Sequence, residues 1–126
     1  MNITYTIDTE RKIIFEVWSE NVSFNDYRDY KAMLFEDPAF NPSFDVICDI
    51  RKYTKGFTLD AVENIIKLFL EHPDKTQKRK SALITNDPMQ VAGSMIFQTK
   101  SDVLPIQVLV FSTIEAALDW ILGKSE

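Results

Sequence analysis

The stretch "DIRKYTKGFT" places a carboxylate (Asp49), three cations (Arg51, Lys52, Lys55) and a hydroxyl (Thr58) between positions 49 and 58. Such a set can hold an anion or accept a phosphoryl group. Two comparable stretches follow: "TNDP" with Asn86 and Asp87, and "FST" with Ser112. All three stand where a strand pattern gives way to a helix pattern. A hydroxyl or carboxylate there caps the first turn of the helix, while free N–H groups and the helix dipole attract negative charge. Asp49, Arg51, Lys52, Lys55, Thr58, Asn86, Asp87 and Ser112 are thus the candidate rim for a ligand or partner, with Thr58 the candidate phosphoacceptor.

Catalytic and metal-binding patterns are not found. Three glycines cannot build a dinucleotide fingerprint or a P-loop. One histidine and one cysteine cannot make a tetrahedral zinc site on their own. Cys48, within "FDVICDI", reads as core. Asp45 and Asp49 share a strand face but lie ~13 Å apart, too far to act together on one small bond. "HPD" at 72–74 matches the loop with which J-domain co-chaperones engage their chaperone; those domains are all helical, and here a strand, "KSALIT", follows. His72 instead suits the end of a helix that Pro73 terminates. No enzyme, cofactor or metal is expected.

The elements that hold the rim follow from periodicity. Ile3, Tyr5 and Ile7 alternate with polar residues, and "KIIFEVWS" repeats the pattern with Ile13, Phe15 and Val17 on one face, giving a hairpin. "SFNDYRDYKAMLFED" opens on a shortened capping box, Ser23 with Asp26, and stacks Phe24, Tyr27, Tyr30 and Leu34 on one stripe. In "FDVICDI", Phe44, Val46, Cys48 and Ile50 share a face. Leu59, Val62, Ile65, Ile66, Phe69 and Leu70 mark the clearest helix. "NDPMQVAGSMIFQ" begins with an Asp87 cap and Pro88 at the first helical position; Met89, Ala92, Met95 and Ile96 form its apolar side. "IQVLVF" is the last strand. In "STIE", Ser112 and Glu115 form a capping box for the last helix, which turns Ile114, Ala117, Leu118 and Ile121 inward.

The expected fold is one α/β domain over residues 1–126, of order β-β-α-β-α-β-α-β-α: a five-stranded mixed sheet, hairpin first and then parallel strands, with four helices. Asp45 and Asp49 make the second face of the third strand too polar for complete burial between helices. Ile14, Trp18, Ile47, Leu109 and Phe111 are candidates for that second face, covered by a helix or by a second copy in a homodimer.

The bulk composition agrees with a single soluble domain. The chain has 126 residues, 45% hydrophobic and 26% charged, enough for a core without disulfides. A net charge of −5 argues against nucleic acid, and the one basic run, "KTQKRK", reads as a solvated loop. The N-terminus lacks the pattern of a signal peptide and no run approaches the ~20 apolar residues of a membrane span. A single cysteine fits a reducing compartment, so a cytoplasmic protein is expected.

The element order, the third strand ending at Asp49 and the loop leading to a capped helix resemble the STAS superfamily, which includes anti-sigma-factor antagonists. "VFSTIEAALDWIL" is similar to the ending of its small stand-alone bacterial members. The resemblance implies a non-enzymatic regulatory or protein-interaction module. In the antagonists a serine at this helix start is phosphorylated by a partner kinase, and Thr58 takes roughly that place. The stretch here reads "GFTLD" instead of an Asp-Ser-Ser-Gly type sequence, so Thr58 is first a cap. The same fold class also resembles CRAL-TRIO lipid carriers. The alternative function is accordingly a small carrier of lipid or nucleotide with a pocket at the same rim, with Met89, Met95, Phe97 and Phe69 available to line a small apolar pocket.

Overall fold

The computed structural model describes residues 2–123. Strands β1 (Ile3–Asp8) and β2 (Ile13–Trp18) pair antiparallel. Their turn is closed by the Asp8 carboxylate, which accepts from the Glu10 and Arg11 N–H groups, and by Lys12 at φ 60°. Then follow α1 (Phe24–Phe35), β3 (Asp45–Asp49), α2 (Leu59–Leu70), a 3₁₀ turn (Pro73–Lys75), β4 (Arg79–Ile84), α3 (Pro88–Lys100), β5 (Ile106–Phe111) and α4 (Ile114–Ile121). The expected order of strands and helices is the observed one.

The spatial order of the sheet is β1-β2-β3-β4-β5, with every pair after the hairpin parallel. A sheet that always advances in one direction through crossovers of one hand places all its crossover helices on one side. Accordingly α1, α2 and α3 share one face, over a core built on Ile14, Val46, Cys48, Leu83 and Val108. Helix α4 lies alone on the other, where Ala117 and Ile121 meet Ile13, Ile47, Ala82 and Ile84. It contacts β3, β4 and β5. Over β2, Val17 remains 41% exposed.

Several side chains face otherwise than the pattern suggests. Ile13, Phe15 and Val17 do share a face, but it is the α4 side; the three-helix core receives Ile14, Glu16 and Trp18. The proposed second-face set therefore divides. Ile14 and Trp18 belong to the larger core, whereas Ile47 and Phe111 pack with α4. Leu109 pairs with Ala82 and sits half-buried on the α4 side.

Helix α3 is turned over relative to expectation. Met89 and Met95 are 77% and 57% exposed, Ala92 and Ile96 are also exposed, and Gln90, Gly93 and Ser94 are buried. The cause is a close approach to the loop before α2. A Cβ at Gly93 would stand 2.7 Å from Phe57 Cβ and 2.9 Å from its carbonyl oxygen. The Gln90 amide donates to the Tyr53 carbonyl, so a hydrogen bond and a missing side chain seat the helix. "KTQKRK" is likewise not simply solvated: Thr76 and Arg79 are buried.

Candidate functional site

The rim forms as the strand pattern requires. Asp49 is in register with Ile84, and Ile84 with Phe111, so β3, β4 and β5 end on one line and release their loops at one edge. Thr58 Oγ1 accepts from the Ala61 N–H at 3.1 Å, and Asp87 Oδ1 from Met89 at 2.9 Å. At α4 the cap is Thr113, not Ser112: Thr113 Oγ1 accepts from Ala116 at 3.1 Å. "STIE" fits a capping box on paper, but β5 runs to Phe111 and the helix starts one residue later than that box needs. Because α3 leaves on one face and α4 on the other, the loops after β4 and β5 diverge.

The charges of the rim are partly self-satisfied. Arg51 Nε and Nη2 donate to the two Asp49 oxygens at 2.9 and 2.7 Å, and the Arg51 N–H adds a third bond. Partial burial pushes the Asp49 carboxyl up, but the Arg51 contacts outweigh it and hold the group below the usual range. Arg51 is committed to that partner. Lys52 and Lys55 are exposed and make no ion pair among the described residues. Thr58, Asn86, Asp87 and Ser112 are exposed as well. Asp45 is structural: its carboxylate accepts from the Lys80 N–H at 2.8 Å. Among the described residues, the rim thus carries two exposed lysines without an ion pair in the loop that leads to the start of α2.

A second constellation lies beneath the helices. Glu16 and Lys31 are each 3% exposed. Glu16 Oε2 accepts from the Tyr30 hydroxyl at 2.7 Å and from Lys31 Nζ at 3.3 Å. Arg79 is 8% exposed, and its Cζ lies 5.4 Å from the Phe69 ring centroid, the same distance as Lys31 Nζ. Burial alone would raise the Glu16 carboxyl, yet Lys31, Tyr30 and Cys48 hold it down. Lys31 is pushed down by burial, and Arg79 adds to that against the pull of Glu16. The Cys48 thiol is pushed well up by burial and by Glu16, which makes it inert core, as its strand position suggests.

This cluster borders a cavity of about 50 Å³ whose walls include Trp18, Phe57, Ile65, Phe69, Phe97 and Ile106. Of the four apolar side chains offered for a pocket, Phe69 and Phe97 line it; Met89 and Met95 point away to the surface. None of the rim residues lines it. The sequence does contain the signals for the cluster: a glutamate inside the apolar run "IIFEVW", and Lys31 completing the helical spacing of Tyr27, Tyr30 and Leu34. They are legible only once the three-helix face of β2 is known.

No helix among the described residues is long and apolar enough to cross a membrane. Neither curated proteins nor solved structures gave a match to this chain. A family model described as SpoIIAA-like matches residues 13–122, from the start of β2 to the end of α4, and the chain belongs to that family.

Proposed function

We propose that the chain is a non-enzymatic regulatory module of the STAS type that docks an acidic segment of a protein partner on its rim. Membership of the SpoIIAA-like family supports a regulatory or interaction role. The observation that carries the docking site is the alignment of three parallel strand ends, which brings the starts of α2, α3 and α4 to one edge beside Lys52 and Lys55. Helix N-termini and unpaired lysines favour negative charge.

Thr58 is exposed and caps α2. A phosphate there would sit at a helix N-terminus in the loop that carries both lysines, a stabilising place for it. It would draw those lysines inward and repel an acidic partner, so modification would release the complex. The test compares partner capture from native cells by the unmodified chain, by Lys52→Glu/Lys55→Glu and by Lys67→Glu/Lys100→Glu, whose charges lie on helices away from the rim. Loss confined to the rim variant, with unchanged melting, is expected. Equal retention by all three would overturn the docking site. Mass spectrometry of the protein from its native cells tests Thr58: phosphate is expected there, and its absence across growth conditions would remove the switch.

A further inference from the structure

The cavity beneath α1 and α2 holds a charge imbalance that the fold leaves unanswered. Lys31 and Arg79 bring two cations to the interior and Glu16 a single carboxylate. Glu16 is occupied by Lys31 and Tyr30. Asp45, the other carboxylate acting on Arg79, lies on the opposite sheet face and is bonded to the Lys80 N–H. Arg79 Nε is buried without a hydrogen-bond partner, and so is Trp18 Nε1. Both side chains line the same cavity. A buried cation without a counter-charge is unfavourable unless something supplies one.

We infer that this cavity is a binding site for a small aliphatic monocarboxylate, whose oxygens pair with Arg79 and whose hydrocarbon lies among Phe57, Ile65, Phe69 and Phe97. The size follows from the space. About 50 Å³ exceeds the ~10–15 Å³ that a water requires and is less than the ~150 Å³ that admits benzene. Butyrate has as many non-hydrogen atoms as benzene, so the space takes the carboxylate group and roughly its nearest one or two carbons. The class follows from the walls. An apolar lining disfavours a multiply charged, strongly hydrated anion such as phosphate, whereas a carboxylate brings one charge and matches the planar fork of a guanidinium. Water alone would satisfy Nε without neutralising the excess charge. The inference does not rest on the rim reading, because the two sites share no residue.

Trp18 supplies its own readout. Trp120 lies on the other face with α4, so Trp120→Phe leaves Trp18 as the sole indole reporter. Titration with propionate at constant ionic strength should give a saturable change in Trp18 emission and raise the melting temperature. Propionamide, of the same shape without the charge, should give neither. Arg79→Met should weaken propionate binding by at least about tenfold, and Arg79→Lys should retain part of it. Along the series from acetate to hexanoate, affinity should fall beyond propionate as the acid outgrows the cavity. No saturable response to propionate, an equal response to propionamide, or unchanged binding by a folded Arg79→Met would each overturn the site. Should Arg79→Met not fold, the contrast between acid and amide in the otherwise unchanged chain decides the matter.

Discussion

Two ion pairs in this molecule each join a cation to a carboxylate, in opposite surroundings. Lys31 and Glu16 meet under three helices with side chains 4% and 3% exposed, whereas Arg51 and Asp49 meet on the rim at 41% and 16%. The rim pair has the better geometry, a two-pronged contact at 2.7–2.9 Å against one contact at 3.3 Å. Geometry does not decide which matters more to the fold. Water competes at the rim and screens both charges; beneath the helices no second carboxylate stands on that face to replace Glu16. The interior pair is therefore a structural commitment, and the rim pair orders a loop at little cost if removed.

The sharpest way to break that contrast is Glu16→Gln. It leaves Lys31 buried beside Arg79 without a carboxylate on that face, and about 3–5 kcal/mol of stability should go, read by denaturant unfolding. The double variant Glu16→Gln/Lys31→Met should recover part of the loss, since Lys31 no longer has to be held without a counter-charge and Arg79 alone remains. If the single variant costs under 1 kcal/mol, roughly the ceiling for an exposed pair, the interior pair is no different from the rim pair. Acid gives an independent check. The Glu16 carboxyl is held below the ordinary 4.5 in the fold, so between the two values the unfolded chain binds more protons than the native one. Its stabilisation is complete above about 4.5 and fades as pH falls through the depressed value. The double variant should show a shallower acid-side loss.

Gly93→Ala is next in expected size and concerns how the rim is held from behind. In an open helix position alanine is favoured over glycine by up to ~1 kcal/mol. Here its Cβ would meet Phe57 backbone and Cβ atoms at 2.7–2.9 Å. Overpacking of that kind costs about 1–3 kcal/mol, and the loop that carries Lys52 and Lys55 should shift with Phe57. Increased stability would show that α3 does not need this close approach.

Both α3 and the interior cluster explain where reading the sequence stops. Period and capping chemistry are local, so the order of elements and the Ser23, Thr58 and Asp87 caps are visible in the chain itself. The face that a helix buries is not local when its contacts are small. Met89, Ala92, Met95 and Ile96 make the more apolar stripe of α3, but Gln90, Gly93, Ser94 and Phe97 also recur at helical spacing. The second set wins through a glycine contact and an amide hydrogen bond, neither of which registers as hydrophobicity. Arg79 is hidden for a similar reason: in "KTQKRK" its neighbours are charged, and only the start of β4 turns it inward.

The caps should give effects of about 1 kcal/mol each. Thr58→Ala and Thr113→Ala should both lower the melting temperature measurably. Ser112→Ala should leave it nearly unchanged, because Thr113 holds the Ala116 N–H. The reverse order at α4 would restore the capping box that the sequence suggests.

The smallest effect belongs to the rim pair itself. Arg51→Ala should cost about 0–1 kcal/mol, and less as salt is added. Its consequence should instead be electrostatic. Asp49 loses the contacts that hold its carboxyl down, leaving the partial burial that pushes it up, so its titration, followed by carboxyl NMR, should move towards neutral pH. The freed carboxylate would also act on Lys52 and weaken the pull of the rim on an acidic segment. A variant that keeps full stability and loses partner binding would separate folding from docking at this edge. One that loses several kcal/mol would show that the exposed pair carries the structural weight assigned to the buried one.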